Sequence, residues 1–421
     1  SFCTISFVTC KGVNNVFGLY GFLKKDQFTL LEENVPGGLS ENGFTKDDIS
    51  QDNKDQINWR LISDFAITAK IDDVYTLMGF YSEFEADPEN CTKCEAKVIS
   101  RHFKHHKTHH ENAKLFVESK SQKTIAQQAI DTYIAKKRVD QLSFTREELL
   151  QQTFGDIFDK LHVVIKGGPE IKLYLAGIAW YSELFKEIDE ILMLILKTFV
   201  ENIPKNRYFL FKGPINTGKT TFATAILNMC GGVALNINQP QDKLNFELGC
   251  AIDKYMVVFE DVKGQIGENK NLTSGVGVNN LDNFRDYLDG SVKVNLERKH
   301  SNKCAQVFPP GIVTMNEYVV PDTLRARFLK TFHFAPKRHL RESLKNTKDL
   351  LRHRVLQSDL CLLLLLIYYR PVSDFCDAYQ TEVVYWKETI DKWVSFTDFS
   401  EYIENCKAGK CIIPNHNDDS D

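Results

Sequence analysis

Lys219 stands next to last in the run Gly213-Pro214-Ile215-Asn216-Thr217-Gly218-Lys219-Thr220, which fits the spacing G-x-x-x-x-G-K-[ST]. A loop that wraps a polyphosphate must turn its backbone N–H groups inward. Gly213 and Gly218 permit the dihedrals and the close approach that a Cβ would block. Lys219 is then placed to reach β- and γ-phosphates, and Thr220 to offer its hydroxyl to Mg²⁺. Thr221 lies in the first turn of a following helix whose positive end faces the anion. Tyr208–Phe211 reads as a buried strand before the loop, and Phe222 onward as the helix after it.

Two further apolar runs end in polar residues. Tyr255-Met-Val-Val-Phe leads into Glu260-Asp261, some forty residues past the loop. Strands buried in a parallel sheet are continuously apolar, and ligands gather at their carboxyl ends. Glu260 and Asp261 are therefore placed to hold Mg²⁺ through water and to polarise an attacking water; an ordinary surface pair is the alternative. Gly311–Met315 ends at Asn316, whose amide could position that water or sense a γ-phosphate. Arg325-Ala-Arg327 offers an arginine for phosphoryl transfer, which is worth roughly 10³–10⁵ in rate when a neighbouring subunit supplies it.

A separate constellation has metal-ligand spacing. Cys91-x₂-Cys94 is followed by His102 and His106, an i, i+4 pair expected on one helical face. Two thiolates and two imidazoles complete a tetrahedral Zn²⁺ site, which is structural because no coordination position stays open. His105, His109 and His110 compete as the fourth ligand.

The elements that must position these groups can be read along the chain. With 421 residues there is room for two or three domains. The formal net charge of −4 excludes nucleic-acid binding through bulk charge and leaves it to local basic patches. Eleven scattered cysteines point to a reducing compartment. Leu360–Ile367 is the most apolar run and is far short of the ~20 residues of a membrane span, so it is expected as a buried helix. No secretory signal opens the chain, and residues 1–38 read as strands from the end of a longer β-containing domain. A polar linker follows over 39–58. Residues 59–142 turn helical, with Trp59, Ile62, Phe65 and Ala66 on one face. Helices continue over 143–203, capped at Ser143 or Thr145, and an acidic tail covers 415–421. Between the apolar strands, Val292, Val294 and Leu296 alternate with polar residues and lead into Arg298-Lys299-His300. This predicts a hairpin with a basic tip that can grip phosphates.

GPINTGKTT, LNFELG, VVFEDVKG, NNLDNFRDYLDGSVKVNLERKH and FPPGIVTMNEY closely resemble the large T antigens of polyomaviruses, superfamily 3 replicative helicases of the AAA+ class. The likeness covers nearly the whole chain, including the Cys/His segment. It implies an α/β AAA+ P-loop core with a parallel sheet over 204–335, an all-helical zinc domain at 59–142, and a helical domain built from 143–203 plus 336–414. Residues 1–38 would be the remnant of an origin-binding domain. It further implies that Lys219, Thr220, Asp261, Glu260 and Asn316 act in cis on ATP·Mg²⁺, and that Arg327 is a trans arginine finger. Lys205 and Arg285 would approach the nucleotide from the adjoining subunit. Lys299, His300, Arg298 and Phe246 would hold DNA in the channel of a homo-hexamer, single or paired. A 3′→5′ DNA helicase of the host nucleus follows. Two alternatives stand beside it: a viral protein that docks host replication and tumour-suppressor factors, and a papillomavirus-type helicase. Arg325, two residues before Arg327, leaves the finger assignment open between them.

Overall fold

The computed structural model describes residues 56–97, 99–267, 271–298 and 303–414. Its contacts divide the chain at Lys137/Arg138 into two compact units, and the division falls inside one long helix, Gln122–Ser143. The expectations for residues 1–38, the acidic tail, and Lys299 and His300 lie outside the described residues.

The first unit is helical. Helices Trp59–Thr68 and Val74–Phe84 start at Asn58 and Asp73, whose side chains accept the backbone N–H groups of Leu61 and Thr76. Ile62, Phe65, Leu77, Tyr81, Phe84 and Phe116 form its core. Trp59 departs from the expected face: it is 58% exposed, because the first residue of a helix lies beyond the packed turn. Asn58 and Asn112 bond reciprocally, backbone N–H to Oδ1 at 2.8 Å and Nδ2 to the Asn58 carbonyl at 3.0 Å, which ties the first helix to His106–Glu118.

In the second unit a five-stranded parallel sheet is flanked by helices. Its strands are β1 (Tyr208–Lys212), β2 (Val233–Leu235), β3 (Val257–Phe259), β6 (Gly311–Met315) and β7 (Phe328–His333), in the order β2-β3-β6-β1-β7. β4 (Lys293–Leu296) and β5 (Cys304–Val307) form a separate antiparallel pair. Alternation along β1 divides the interior. Phe209 and Phe211 join a core shared with the surrounding helices, while Tyr208 and Leu210 join a core on the other face. The helical segments before and after the sheet therefore pack into one continuous core with it. Leu360–Ile367 are buried in that core within the helix Asp359–Tyr369. Among the described residues no helix is long and apolar enough to cross a membrane. Thr145, rather than Ser143, caps the helix Arg146–Val164, in a reciprocal pairing with Glu148.

Candidate nucleotide, metal and nucleic-acid sites

Parallel register brings the chemistry together. Phe259 lies abreast of Val313, and Lys212 abreast of Met315. Gly213 and Asn316 thus leave the sheet at one level, on neighbouring strands, with Asp261 two residues beyond the end of β3 beside them. Asn316 donates through Nδ2 to Asp261 Oδ1 at 3.1 Å. The Asp261 backbone N–H donates to Thr314 Oγ1 at 2.9 Å, and its carbonyl accepts Asn238 Nδ2 at 2.9 Å. These bonds hold Asp261 at a φ of +47°, a left-handed conformation uncommon for a residue with a side chain. No residue spacing picks out Thr314 or Asn238. Thr314 leaves one trace, a hydroxyl inside an otherwise apolar buried strand. Glu260 is exposed, and its N–H donates to the Leu235 carbonyl.

The loop from Gly213 to Thr220 runs from β1 into the helix Lys219–Cys230. A Cβ on Gly213 would lie 2.2 Å from the Phe334 carbonyl oxygen, and Gly218 holds a φ of +92°, so both glycines are required. Lys219 is buried, with Nζ donating to the Gly213 carbonyl at 2.9 Å and the Pro214 carbonyl at 2.5 Å. Burial pushes its amine down to about 8, with the Asp261 and Glu317 carboxylates acting in the opposite direction. Thr217 is buried; Ile215, Asn216 and Thr220 are exposed. Beside the loop lies a cavity of about 280 Å³ lined by Trp180, Asn216, Thr221, Leu340, Arg341 and Leu344. Its helical wall carries no motif, so sequence spacing alone does not reveal it.

A second group of cations gathers elsewhere on the unit. Arg327 pairs with Asp289, and Lys205 donates its backbone N–H to the Asp289 carbonyl at 2.9 Å. Arg285 begins the helix that Asp289 ends, and lies 4.0 Å from Asp282. The residues expected to act in trans thus share one neighbourhood, organised by two aspartates that no motif picks out. Arg325 is turned to Asp322, at 3.3 Å, and to the Val320 carbonyl.

On the β4–β5 hairpin, Val294 and Leu296 are buried while Lys293 and Asn295 are exposed, as the alternation predicts; Val292 precedes the strand and is exposed. Arg298 donates from Nε to the Gly249 carbonyl at 3.2 Å and from Nη2 to the Ile252 carbonyl at 2.9 Å. Those bonds make it a brace at the tip end of β4. Phe246 lies exposed on the helix Gln241–Gly249.

In the first unit, Cys91, Cys94, His102 and His106 bring their ligand atoms within 4.8 Å of one another. Cys91 Sγ is 3.3 Å from His102 Nε2, and Cys94 Sγ is 3.1 Å from His106 Nδ1. The other nitrogens meet polar partners: His106 Nε2 bonds the Ala86 carbonyl at 2.9 Å, and His102 Nδ1 lies 3.0 Å from the Glu83 carboxylate without a well-directed hydrogen bond. Such outer partners fix ring and tautomer at zinc sites, and the S₂N₂ donor set suits Zn²⁺. The two histidines sit on successive helices, Ser100–Phe103 and His106–Glu118, rather than on one. The competing histidines are engaged elsewhere. His109 bonds the Tyr81 hydroxyl at 2.8 Å, His110 bonds the Phe84 carbonyl at 2.9 Å, and His105 packs edge-on against Phe65.

A parallel sheet of this order, with a phosphate loop after β1 and Asp261 and Asn316 at neighbouring strand ends, defines an AAA+ P-loop protein; here it is joined to a helical unit with a zinc-type cluster. The chain belongs to the polyomavirus large T antigen family, whose C-terminus family model matches residues 54–421. It is 57% identical over 416 residues to the Large T antigen of WU polyomavirus, covering 99% of this chain and 64% of that protein. It is 49% identical over 423 residues to that of Simian virus 40, covering 100% of this chain and 60% of that protein. An X-ray structure of JCV helicase superposes with a TM-score of 0.81 at 50% identity, over 85% of this chain and 99% of that one. The chain thus spans less than two thirds of the curated relatives it matches.

Proposed function

We propose that the chain is an ATP-dependent DNA helicase that assembles as a hexamer, single or paired, and unwinds viral DNA in the host nucleus. The observation that carries this reading is the Asp261–Asn316 pair at the strand ends beside the P-loop, in a chain whose relatives include a helicase of the same fold. ATP·Mg²⁺ binds with its phosphates in the loop 213–221. Lys219 leaves the Gly213 and Pro214 carbonyls for the β- and γ-phosphates, and Thr220 and Asp261 hold the magnesium. Glu260 and Asp261 polarise the attacking water, and Asn316 orients it. Mg²⁺ supplies charge neutralisation at the transferring phosphoryl group.

Arg327, with Lys205 and Arg285, reaches the nucleotide of the adjoining subunit. Arg327 is favoured over Arg325 because it shares Asp289 with Lys205. Lys299, His300 and Phe246 contact the DNA strand, and Arg298 aims the tip. Polarity is 3′→5′. Zn²⁺ on Cys91, Cys94, His102 and His106 is structural, and the helical unit around it supports assembly. Host replication and tumour-suppressor proteins are the partners expected for the longer protein.

Size-exclusion chromatography with and without ATP·Mg²⁺, coupled to unwinding of a forked duplex, tests the reading. The chain should assemble with nucleotide and separate strands, and Lys219→Ala should abolish both ATPase and unwinding. A chain that binds ATP yet stays monomeric and never separates strands would overturn it.

A further inference from the structure

Arg327 is the side chain that must cross to a neighbouring subunit, yet its guanidinium is held within its own. Nη1 donates to the Thr323 carbonyl at 2.5 Å. Nη2 donates to Asp289 Oδ2 at 3.3 Å, and Nε lies 2.8 Å from Asp289 Oδ1. That last approach makes no well-directed hydrogen bond, so the pair is held more by charge than by a full two-bond fork. Both side chains are largely buried, at 21% and 13% exposed. A triphosphate, with more charge and more acceptor oxygens than one carboxylate, competes for such a guanidinium effectively.

The position of Asp289 gives this competition a consequence. Asp289 ends the helix Arg285–Asp289, and Gly290, at a φ of +61°, turns the chain toward β4, which begins at Lys293. The Asp289 carbonyl also holds the Lys205 backbone. On the other side, the Thr323 hydroxyl donates to Asp282 at 2.8 Å while the Thr323 carbonyl holds Arg327. One carboxylate therefore sits between the candidate finger and the root of the hairpin.

We propose that Asp289 is a latch for Arg327. It holds the guanidinium until a γ-phosphate on the adjoining subunit takes it. Its release then frees the turn after Asp289, so that the hairpin's position follows the neighbour's nucleotide. Asp289 is a positioning residue that acts through Arg327 and β4, and the proposal rests on Arg327 being the trans finger. The shift it can drive is bounded by the difference in Arg327 affinity between the two partners.

The test uses the full chain and Asp289→Asn, which keeps the shape and removes the charge; Asp289→Ser serves if the amide does not pack. Freed from its latch, Arg327 should lower the ATP concentration for half-maximal assembly about fivefold. Strands separated per ATP hydrolysed should fall about fivefold, and Asp289→Glu should recover most of both. In an Arg327→Ala background, adding Asp289→Asn should leave the assembly midpoint unchanged. The latch is overturned if a folded Asp289→Asn chain keeps both quantities within twofold of the parent, or if its effect survives unaltered without Arg327. If Arg327→Ala hydrolyses ATP as fast as the parent chain, the finger assignment itself has failed and the latch fails with it. If that variant is inactive while Asp289→Asn is silent, the latch alone fails.

Discussion

Lys219 carries the residue-scale chemistry in a form that pH can probe. Its amine is buried against the loop's own carbonyls, and burial pushes it down to about 8, against the pull of Asp261 and Glu317. Only the ammonium form attracts phosphate. A group whose folded pKa lies below its unfolded value gains protons on unfolding, so the free chain should become more stable as pH rises from about 8 toward the ordinary lysine range near 10.4. Nucleotide affinity should run the opposite way. Calorimetric titration with Mg·ATP should show affinity falling above pH ~8, approaching tenfold per pH unit, and Lys219→Arg should flatten the profile because a guanidinium does not titrate there. A flat affinity between pH 7.5 and 9.5 would show that the lysine stays charged. The motif names this residue; only the packing of the loop reveals the shifted titration.

At the scale of elements, the hairpin and the helix Gln241–Gly249 meet with no room to spare. A Cβ on Gly249 would lie 1.9 Å from the Glu297 carbonyl oxygen, at the end of β4. Arg298 and Gln306 fasten the same junction, Gln306 through Nε2 to the Ala251 carbonyl at 3.2 Å. Gly249→Ala should therefore force the two elements apart and cost about 1–3 kcal/mol, as overpacking generally does. The expected result is a lower melting temperature and reduced DNA-stimulated ATPase, with Mg·ATP affinity in the absence of DNA within twofold. Unchanged melting and DNA stimulation would mean that the junction is soft. This coupling also marks what the sequence makes legible. Period-two alternation exposes β4, and glycine spacing exposes the P-loop, because both patterns are local. The brace at Arg298, the Asp289 pairing with Arg327 and the support of Asp261 by Asn238 join residues far apart in the chain. No periodicity encodes such meetings; the resemblance to large T antigens points to the region but not to the bonds.

For the whole molecule, the separate cores of the two units predict separate responses to metal. The first unit buries a small core around Phe65, Tyr81, Phe84 and Phe116, and the second has its own two cores around the sheet. The segment holding Cys91 and Cys94 has a helix of only five residues, Thr92–Ala96, with none of them buried. Such a segment cannot be held by apolar burial alone, so ligand bonds must supply the difference; in small zinc peptides metal binding contributes roughly 10–16 kcal/mol. Removing zinc with a chelator, or replacing a ligand by Cys91→Ser, should collapse hydrogen-exchange protection in Thr92–Ala96 and Ser100–Phe103 and weaken it in Val74–Phe84 and His106–Glu118. The strands β1, β3 and β6 should keep their protection, and Mg·ATP affinity should stay within twofold. If assembly depends on the helical unit, nucleotide-driven oligomers should disappear along with that protection. Protection that survives metal removal would make the Cys/His cluster incidental to folding. Loss of protection in the sheet as well would show that the two units fold as one.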